Sequence, residues 1–363
     1  MIKMEYNRIR VLHITNNIDI GGVQKIIYQL SLLGKEYFSY VAVASIGGVY
    51  EKKLSESNIP HFTIPNLSSK NPKDIRMTIH QLKDLIEKND INVIHCHHRM
   101  AVLFAKLIAK NKIIIYNNHT IYSNKRQFSH SVLNNINLIA DGDKAKENLT
   151  KYFKLDPTKV VTIYNAVDSF DGKLNIINEI KEAKDKGYFI VMNSARLHPQ
   201  KGMKYFIEAA KILIDRGLKI RFYIVGNGPL KDYLIELVKE KRLDKSVFFL
   251  GFRNDIKNTI AQCDVLVLTS IYEGLPLTPM EAFSVKKAVI GTDIDGTREV
   301  IKHGINGLLA KTKDPLSIAD SIHFMYDNRD KLKIMNKNAY EYYIKYFSLN
   351  KFREEYLDYY RKL

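Results

Sequence analysis

The stretch Cys263-Asp-Val-Leu-Val-Leu-Thr-Ser-Ile-Tyr-Glu-Gly-Leu-Pro-Leu-Thr-Pro-Met-Glu281 decides the fold. Its apolar first part, Cys263 to Thr269, reads as a buried strand. Gly274-Leu-Pro276 reads as a turn, and a helix is expected from Leu277. A strand feeding a helix through a short turn is the unit of an open α/β sheet, which holds its ligands beyond the carboxyl ends of the strands. Glu273 falls at that end, and Glu281 about two turns into the helix. Both carboxylates suit the hydroxyls of a polyhydroxy ligand, and the N–H groups of Gly274 to Thr278 suit an anion. The stretch alone also fits a capped helix with two solvated acids.

The same unit repeats on either side. Upstream, Tyr188-Phe-Ile-Val-Met192 reads as a strand entering the loop Ser194-Ala-Arg-Leu-His-Pro-Gln-Lys-Gly202, with a helix from Met203. Lys219 to Val225 is a strand running into Gly226-Asn-Gly-Pro229, and Val247 to Leu250 one ending at Gly251-Phe-Arg253. Downstream, Ala288 to Gly291 leads to Asp295-Gly-Thr-Arg-Glu299. The first half alternates in the same way. Arg8 to Thr15 is a strand, followed by Gly21-Gly22 and a helix from Val23, the arrangement of a phosphate-binding turn. Tyr40 to Ser45, His61 to Ile64, Ile91 to His95, Lys112 to Tyr116, Asn137 to Ala140 and Lys159 to Ile163 read as further strands. Pro72 to Lys88 is an amphipathic helix with Ile75, Ile79, Leu82, Leu85 and Ile86 inward.

Strand–helix alternation implies parallel sheets covered on both faces. The expected fold is α/β, with two tandem Rossmann-like doubly wound domains facing a cleft. The first domain is 1–170 and the second 171–349, with the polar run Asp171 to Lys186 as linker. The helix 350–363 is expected to pack back on the first domain.

The 363 residues suffice for two domains with substantial cores, and 45% hydrophobic with 26% charged residues is ordinary for a globular protein. No apolar run approaches the roughly 20 residues that span a bilayer. The polar stretch Met1 to Arg10 has no signal-peptide core, so a cytoplasmic protein is expected. Cys96 and Cys263 lie in strand-like runs and read as buried thiols, neither a disulfide nor a metal site. The net charge of +17 favours anionic partners, or simply decorates a lysine-rich solvated surface. No zinc spacing or recognition helix points to nucleic acid.

Arg196-Leu-His-Pro-Gln-Lys-Gly202, Gly226-Asn-Gly-Pro229, Glu273 with Glu281, and Gly296-Thr-Arg-Glu299 occur in order. With Gly21-Gly22, His95-Cys-His-His98, His119 and Asn165-Ala-Val-Asp168, this set resembles the family-4 retaining, nucleotide-sugar-dependent glycosyltransferases (glycosyl transferases group 1) of the GT-B fold. The resemblance runs from Ile9 to about Leu316. It implies that Arg196 and Lys201 bind the donor diphosphate, Glu281 the ribose hydroxyls, and Glu273 the transferred sugar. Backbone from Gly274 through Leu275 and Pro276 to Leu277 would meet diphosphate or sugar. Gly22 and Gly226 would approach the donor, and Phe252 and Arg253 would lie by the base. His119 would lie against the transferred sugar, with His97 and His98 near the acceptor. Two positions depart from the pattern. Gln24 stands where an acid is frequent, and Asp295-Gly296 has one glycine where two are common.

The expected reaction is transfer of a hexose or N-acetylhexosamine, with a UDP-sugar favoured, to a glycan or lipid-linked acceptor in cell-surface polysaccharide biosynthesis. Arg196, Lys201, Glu273 and His119 are the expected catalytic group. The diphosphate leaves from the face the acceptor attacks, and takes the acceptor's proton; a covalent route through Glu273 is the alternative. Arg and Lys can replace a metal at the diphosphate, so no metal or other cofactor is expected. A nucleotide-sugar epimerase on a similar fold and a non-catalytic anion-binding module are the competing readings. Lys73, Arg76, Lys83, Lys88, Lys106, Lys110, Lys112 and Lys125-Arg126 further suggest peripheral docking of the first domain on an anionic membrane.

Overall fold

The computed structural model describes residues 6–170 and 172–363. Met1 to Glu5, half of the stretch read for a leader, and Asp171, the start of the expected linker, lie outside the described residues. The chain divides into two compact units. One runs to Asn165 and takes in Arg353–Leu363; the other is Ala166–Phe352.

The strands of the first unit are β1 (Arg10–Ile14), β2 (Tyr40–Ser45), β3 (His61–Thr63), β4 (Val93–Cys96), β5 (Ile113–Asn118), β6 (Asn137–Ala140) and β7 (Val160–Thr162). They pair in parallel in the order β3-β2-β1-β4-β5-β6-β7. Val11, Leu12, His13 and Ile14 are all buried, as are all four residues of β4. Burial on both faces is what helices on each side of a parallel sheet produce. The second unit has β8 (Phe189–Ser194), β9 (Ile220–Val225), β10 (Val247–Gly251), β11 (Val265–Leu268), β12 (Val289–Thr292) and β13 (Gly307–Ala310). Their order is β10-β9-β8-β11-β12-β13, again parallel. Chain order reverses between β8 and β11, so the loops leaving these two strands flank the switch point where such sheets bind ligands. Phe189, Phe206, Phe222, Ile224 and Val267 form part of its core.

Some sequence expectations are revised. The run read as linker contains the helix Asn178–Asp185, with only Ile180 and Ala183 buried. So narrow an apolar stripe looks like a polar run. A helix at Arg126–Leu133 was not expected; it follows Lys125, whose φ is 50°. The helix Pro72–Lys88 has the expected bounds, but it buries Thr78, Leu82 and Ile86. Ile75, expected inward, is 36% exposed. Both cysteines are free and buried.

Candidate active site

At the carboxyl edge of the second sheet, two loops are stitched together across the switch point. The Ile271 N–H donates to Gln200 O at 2.8 Å, the Gln200 side-chain amide to Tyr272 O at 2.9 Å, and the Thr269 hydroxyl to Lys201 O at 2.9 Å. A Cβ on Gly202 would lie 2.2 Å from Thr269 O, and its φ of +59° is left-handed. Glycine is therefore what lets the first loop lie on the second. The Lys201 ammonium meets the Glu273 carboxylate in this seam. The Ser270 hydroxyl donates to the same carboxylate oxygen at 2.7 Å. The Glu273 side chain is only 8% exposed and that of Lys201 22%, so each needs the other. Arg196 is exposed at the rim, and among the described residues its guanidinium has neither an ion pair nor a hydrogen bond.

The helix Leu277–Ser284 starts directly beyond Glu273, without a side-chain cap and without an acid in its first turn. Pro276 has no N–H, so Gly274, Leu275, Leu277 and Thr278 are the donors in the stretch expected to bind an anion. Glu281 is half-buried and, with the helix starting at Leu277 as expected, stands just over one turn into it, not two, since a turn takes about 3.6 residues. Gly296 abuts this loop from β12: a Cβ there would fall 1.7 Å from Gly274 O. On the other flank Gly226 lies against the Arg196 loop, since a Cβ would come 1.9 Å from Ala195 O. Beyond β10, Phe252 is 59% exposed. Arg253 is already engaged, giving two 2.8 Å bonds to Asp255, so its expected place by a base competes with that pair.

In the first unit, Gly22 opens the helix Gly22–Tyr37 after β1, again without a side-chain cap. His98 accepts from the Met100 N–H at 3.3 Å and caps the next helix. His97 is buried in a row of imidazoles. His13 Nδ1 is 3.1 Å from His97 Nε2, and His97 Nδ1 is 3.1 Å from His119 Nε2. His119 follows β5 and is half-buried. His95 lies 4.6 Å from His97, ring to ring, and its Nδ1 is 2.7 Å from the Tyr360 hydroxyl. Tyr356 donates to Asn117 Oδ1 at 3.0 Å. Burial depresses all four histidines, His13 and His119 to about 3, and His95 and His97 well below their ordinary value. His13, His95 and His97 are also near enough to share an ion, with ligand atoms within 4.8 Å of one another.

The comparisons agree with this architecture from end to end. Residues 20–169 match Glycosyltransferase Family 4, and 176–342 match Glycosyl transferases group 1. The chain belongs to the family-4 glycosyltransferases of the GT-B fold. It is 28% identical to the UDP-Gal:alpha-D-GlcNAc-diphosphoundecaprenol alpha-1,3-galactosyltransferase of Escherichia coli, over 98% of this chain and 99% of that one. It is 30% identical to the N-acetylgalactosamine-N,N'-diacetylbacillosaminyl-diphospho-undecaprenol 4-alpha-N-acetylgalactosaminyltransferase of Campylobacter jejuni, over 59% of this chain and 56% of that one. The fold of HepE from Anabaena, solved with UDP, superposes with a TM-score of 0.85 at 19% identity, covering 98% of this chain and all of that one, 100%.

In this glycosyltransferase, the second sheet's edge gathers Arg196, Lys201, Gly226, Phe252, Glu273 and the Gly274–Leu277 turn. The first sheet's edge gathers Gly22, His97, His98 and His119. The sequence reading did not single out His13, and it named His95 only as the head of the His95-Cys-His-His98 motif, without a role. They are direct register partners on β1 and β4, and a polar residue at matching depth in two central strands was the available signal.

Proposed function

We propose that this enzyme is a retaining hexosyl- or N-acetylhexosaminyltransferase, using a UDP-sugar and a diphosphate-lipid-linked acceptor in cell-surface polysaccharide assembly. The observation that carries the reading is the seam at the switch point. A rim arginine, a lysine held by Glu273 and an uncapped helix start lie at one edge, where a diphosphate finds cations and N–H donors together. The two relatives, named for transfer to diphospho-undecaprenol acceptors, support the acceptor class. The bond from the sugar's anomeric carbon to the diphosphate breaks as the acceptor oxygen bonds on the same face. The departing phosphate oxygen takes the acceptor's proton. Arg196, Lys201 and the helix-start amides stabilise the charge that develops on it, and no metal or other cofactor is needed. Glu273, engaged by Lys201 and Ser270, serves as a positioned hydrogen-bond acceptor for the sugar and not as a covalent nucleophile. Glu281 binds the ribose hydroxyls.

UDP-sugars offered with an undecaprenyl-diphosphate sugar test this directly. UDP release that depends on acceptor, with the donor's anomeric configuration kept in the product, is the expected result. Epimerised donor without transfer would favour an epimerase, and binding without UDP release a non-catalytic module.

A further inference from the structure

Two successive residues beyond β11 hold the two partners of the switch-point ion pair. The Thr269 hydroxyl donates to Lys201 O at 2.9 Å, and the Ser270 hydroxyl to Glu273 Oε1 at 2.7 Å. Each has a buried support behind it. The paired register of β8 and β11 runs through Val265↔Val191 and Leu266↔Met192; beyond it, Asn193 Nδ2 reaches across to lie 3.1 Å from Thr269 Oγ1. At the end of β12, the Thr292 hydroxyl donates to Ser270 O. Asn193, Thr269, Ser270 and Thr292 are each at most 1% exposed, so they act from beneath the edge that a ligand would meet.

The Asn193 bond has one possible sense. A hydroxyl carries a single hydrogen, and Lys201 O only accepts, so the Thr269 hydrogen goes there. The group that Asn193 turns toward Thr269 is then its NH2, and Oδ1 is the atom left over. That oxygen is buried and has no partner among the described residues. A buried polar atom without a partner destabilises. Leu or Met on β8 would fill the same place without that cost, so stability does not account for an asparagine here. What the position gains is an N–H donor that steadies the Thr269 hydroxyl on Lys201 O. Buried polar groups that break the packing rule in this way gather at functional sites.

We propose that Asn193 and Thr269 are positioning residues for the donor diphosphate, fixing the backbone of Lys201 so that its ammonium stands ready where the phosphates bind. The neighbours of Lys201 are fixed too. Gln200 O accepts from the Ile271 N–H at 2.8 Å, and a Cβ on Gly202 would strike Thr269 O at 2.2 Å. With its carbonyl and both flanking residues held, Lys201 keeps freedom only along its side chain, and Glu273 takes the far end of that. A cation preset in this way needs no rearrangement as charge builds on the leaving phosphate. A displacement of about 1 Å in such a group can cost about a hundredfold in rate. That Lys201 meets a diphosphate rests on the glycosyltransferase reading above; the hydrogen bonds that hold it do not.

UDP and uridine, titrated against the full chain by calorimetry and by ligand-observed NMR, separate positioning from folding. Thr269→Val removes the hydroxyl. It should weaken UDP about tenfold, the scale of a hydrogen bond to a charged group, and leave uridine unchanged. Thr269→Ser restores the hydroxyl and should restore UDP. Asn193→Leu also removes the orphan oxygen, which keeps the test open if the valine variant does not fold; it should weaken UDP by a smaller factor. Adding it to Thr269→Val should cost little more, because groups in one network do not add. Wild-type UDP affinity in Thr269→Val or in Asn193→Leu overturns the proposal. So do fully additive losses, and so does equal weakening of UDP and uridine, which would mark a structural role only. Lys201→Ala, run beside them, tests the reading underneath. If it weakens UDP while Thr269→Val does not, the positioning proposal alone falls. UDP binding that is unaffected by Lys201→Ala, or absent from the wild type, overturns both.

Discussion

The ammonium of Lys201 and the carboxylate of Glu273 join the loop after β8 to the loop after β11. The pair does two things: it welds the switch-point edge, and it holds a cation ready beside an uncapped helix start. Lys201→Ala leaves a carboxylate that is 8% exposed with only the Ser270 hydroxyl. Its expected cost is roughly 1–3 kcal/mol of stability, on top of lost turnover. Lys201→Met with Glu273→Gln should recover stability and not turnover. Arg196, exposed and without an ion pair among the described residues, should behave differently: Arg196→Ala is expected to lower kcat/KM with an unchanged melting temperature. Thermal melts beside UDP-release kinetics check all three. Wild-type turnover in Arg196→Ala would remove that residue from the site.

Glu281→Gln should weaken the donor. The carboxylate is half-buried on the helix Leu277–Ser284, and a charged hydrogen bond to a ribose hydroxyl contributes about 1.5–3 kcal/mol. The donor Michaelis constant should rise at least tenfold, with the acceptor constant unaffected. Equal donor constants in wild type and variant would take Glu281 out of the donor site.

How much of this was legible beforehand depends on the kind of contact. Strand-and-helix alternation survives in periodicity, so Tyr40–Ser45 and Pro72–Lys88 were readable to the residue. Gly202, Gly226 and Gly296 were readable as motif positions, but not the reason for each, which is the carbonyl a Cβ would strike. The Lys201–Glu273 pair bridges residues 72 apart in sequence, and no local pattern encodes it. The histidine row is less legible still. It is assembled from β1, β4 and β5 with tyrosines from Arg353–Leu363, and it exists only once the strand order is known.

Acid should destabilise the first unit steeply. His13, His95 and His97 are buried and stay neutral, facing one another, His119, Tyr356 and Tyr360. In the unfolded chain they take up protons near pH 6.5. Between that value and about 3, the folded-state value for His13, the unfolded state binds more protons. Stability therefore rises with pH up to about 6.5 and is flat above it, with a slope near 1.4 kcal/mol per pH unit for each histidine. Melting temperature measured from pH 5 to 8 should show that break, softened in His13→Asn. A curve level through pH 5 would mean that the row is charged or open to water.

On the proposed reading, in which Arg196 and Lys201 supply the positive charge at the diphosphate, chelation should leave transfer intact. EDTA-treated and dialysed enzyme is expected to keep its rate. Loss of activity restored by magnesium or manganese would show that these cations do not replace a metal.

Membrane docking is the expectation that the surface of the first unit now sharpens. On the helix Pro72–Lys88, Lys83 and Lys88 share their charge with Glu87 and Asp84, and Lys106 is tied to Asn134 O at 2.6 Å. Lys73 and Arg76 remain, flanking Met77, which is 47% exposed, along a shallow pocket completed by Pro72 and His80. Lys110 and Lys112 line a second hollow with Leu107, which is 59% exposed, and with the Lys83–Glu87 pair. Exposed apolar side chains ringed by cations suit the boundary between headgroups and acyl chains. At about 1 kcal/mol per cation near an anionic leaflet, four give reversible binding that salt weakens as the Debye length shrinks below about 10 Å. No helix among the described residues is long and apolar enough to cross a membrane. Vesicle sedimentation should recover the protein with phosphatidylglycerol at low salt, less at high salt, and little with neutral lipid. Replacing Lys73, Arg76, Lys110 and Lys112 by Gln should abolish recovery while leaving UDP release on a water-soluble acceptor unchanged. Equal recovery on neutral and anionic vesicles would end the membrane reading and leave the transferase intact.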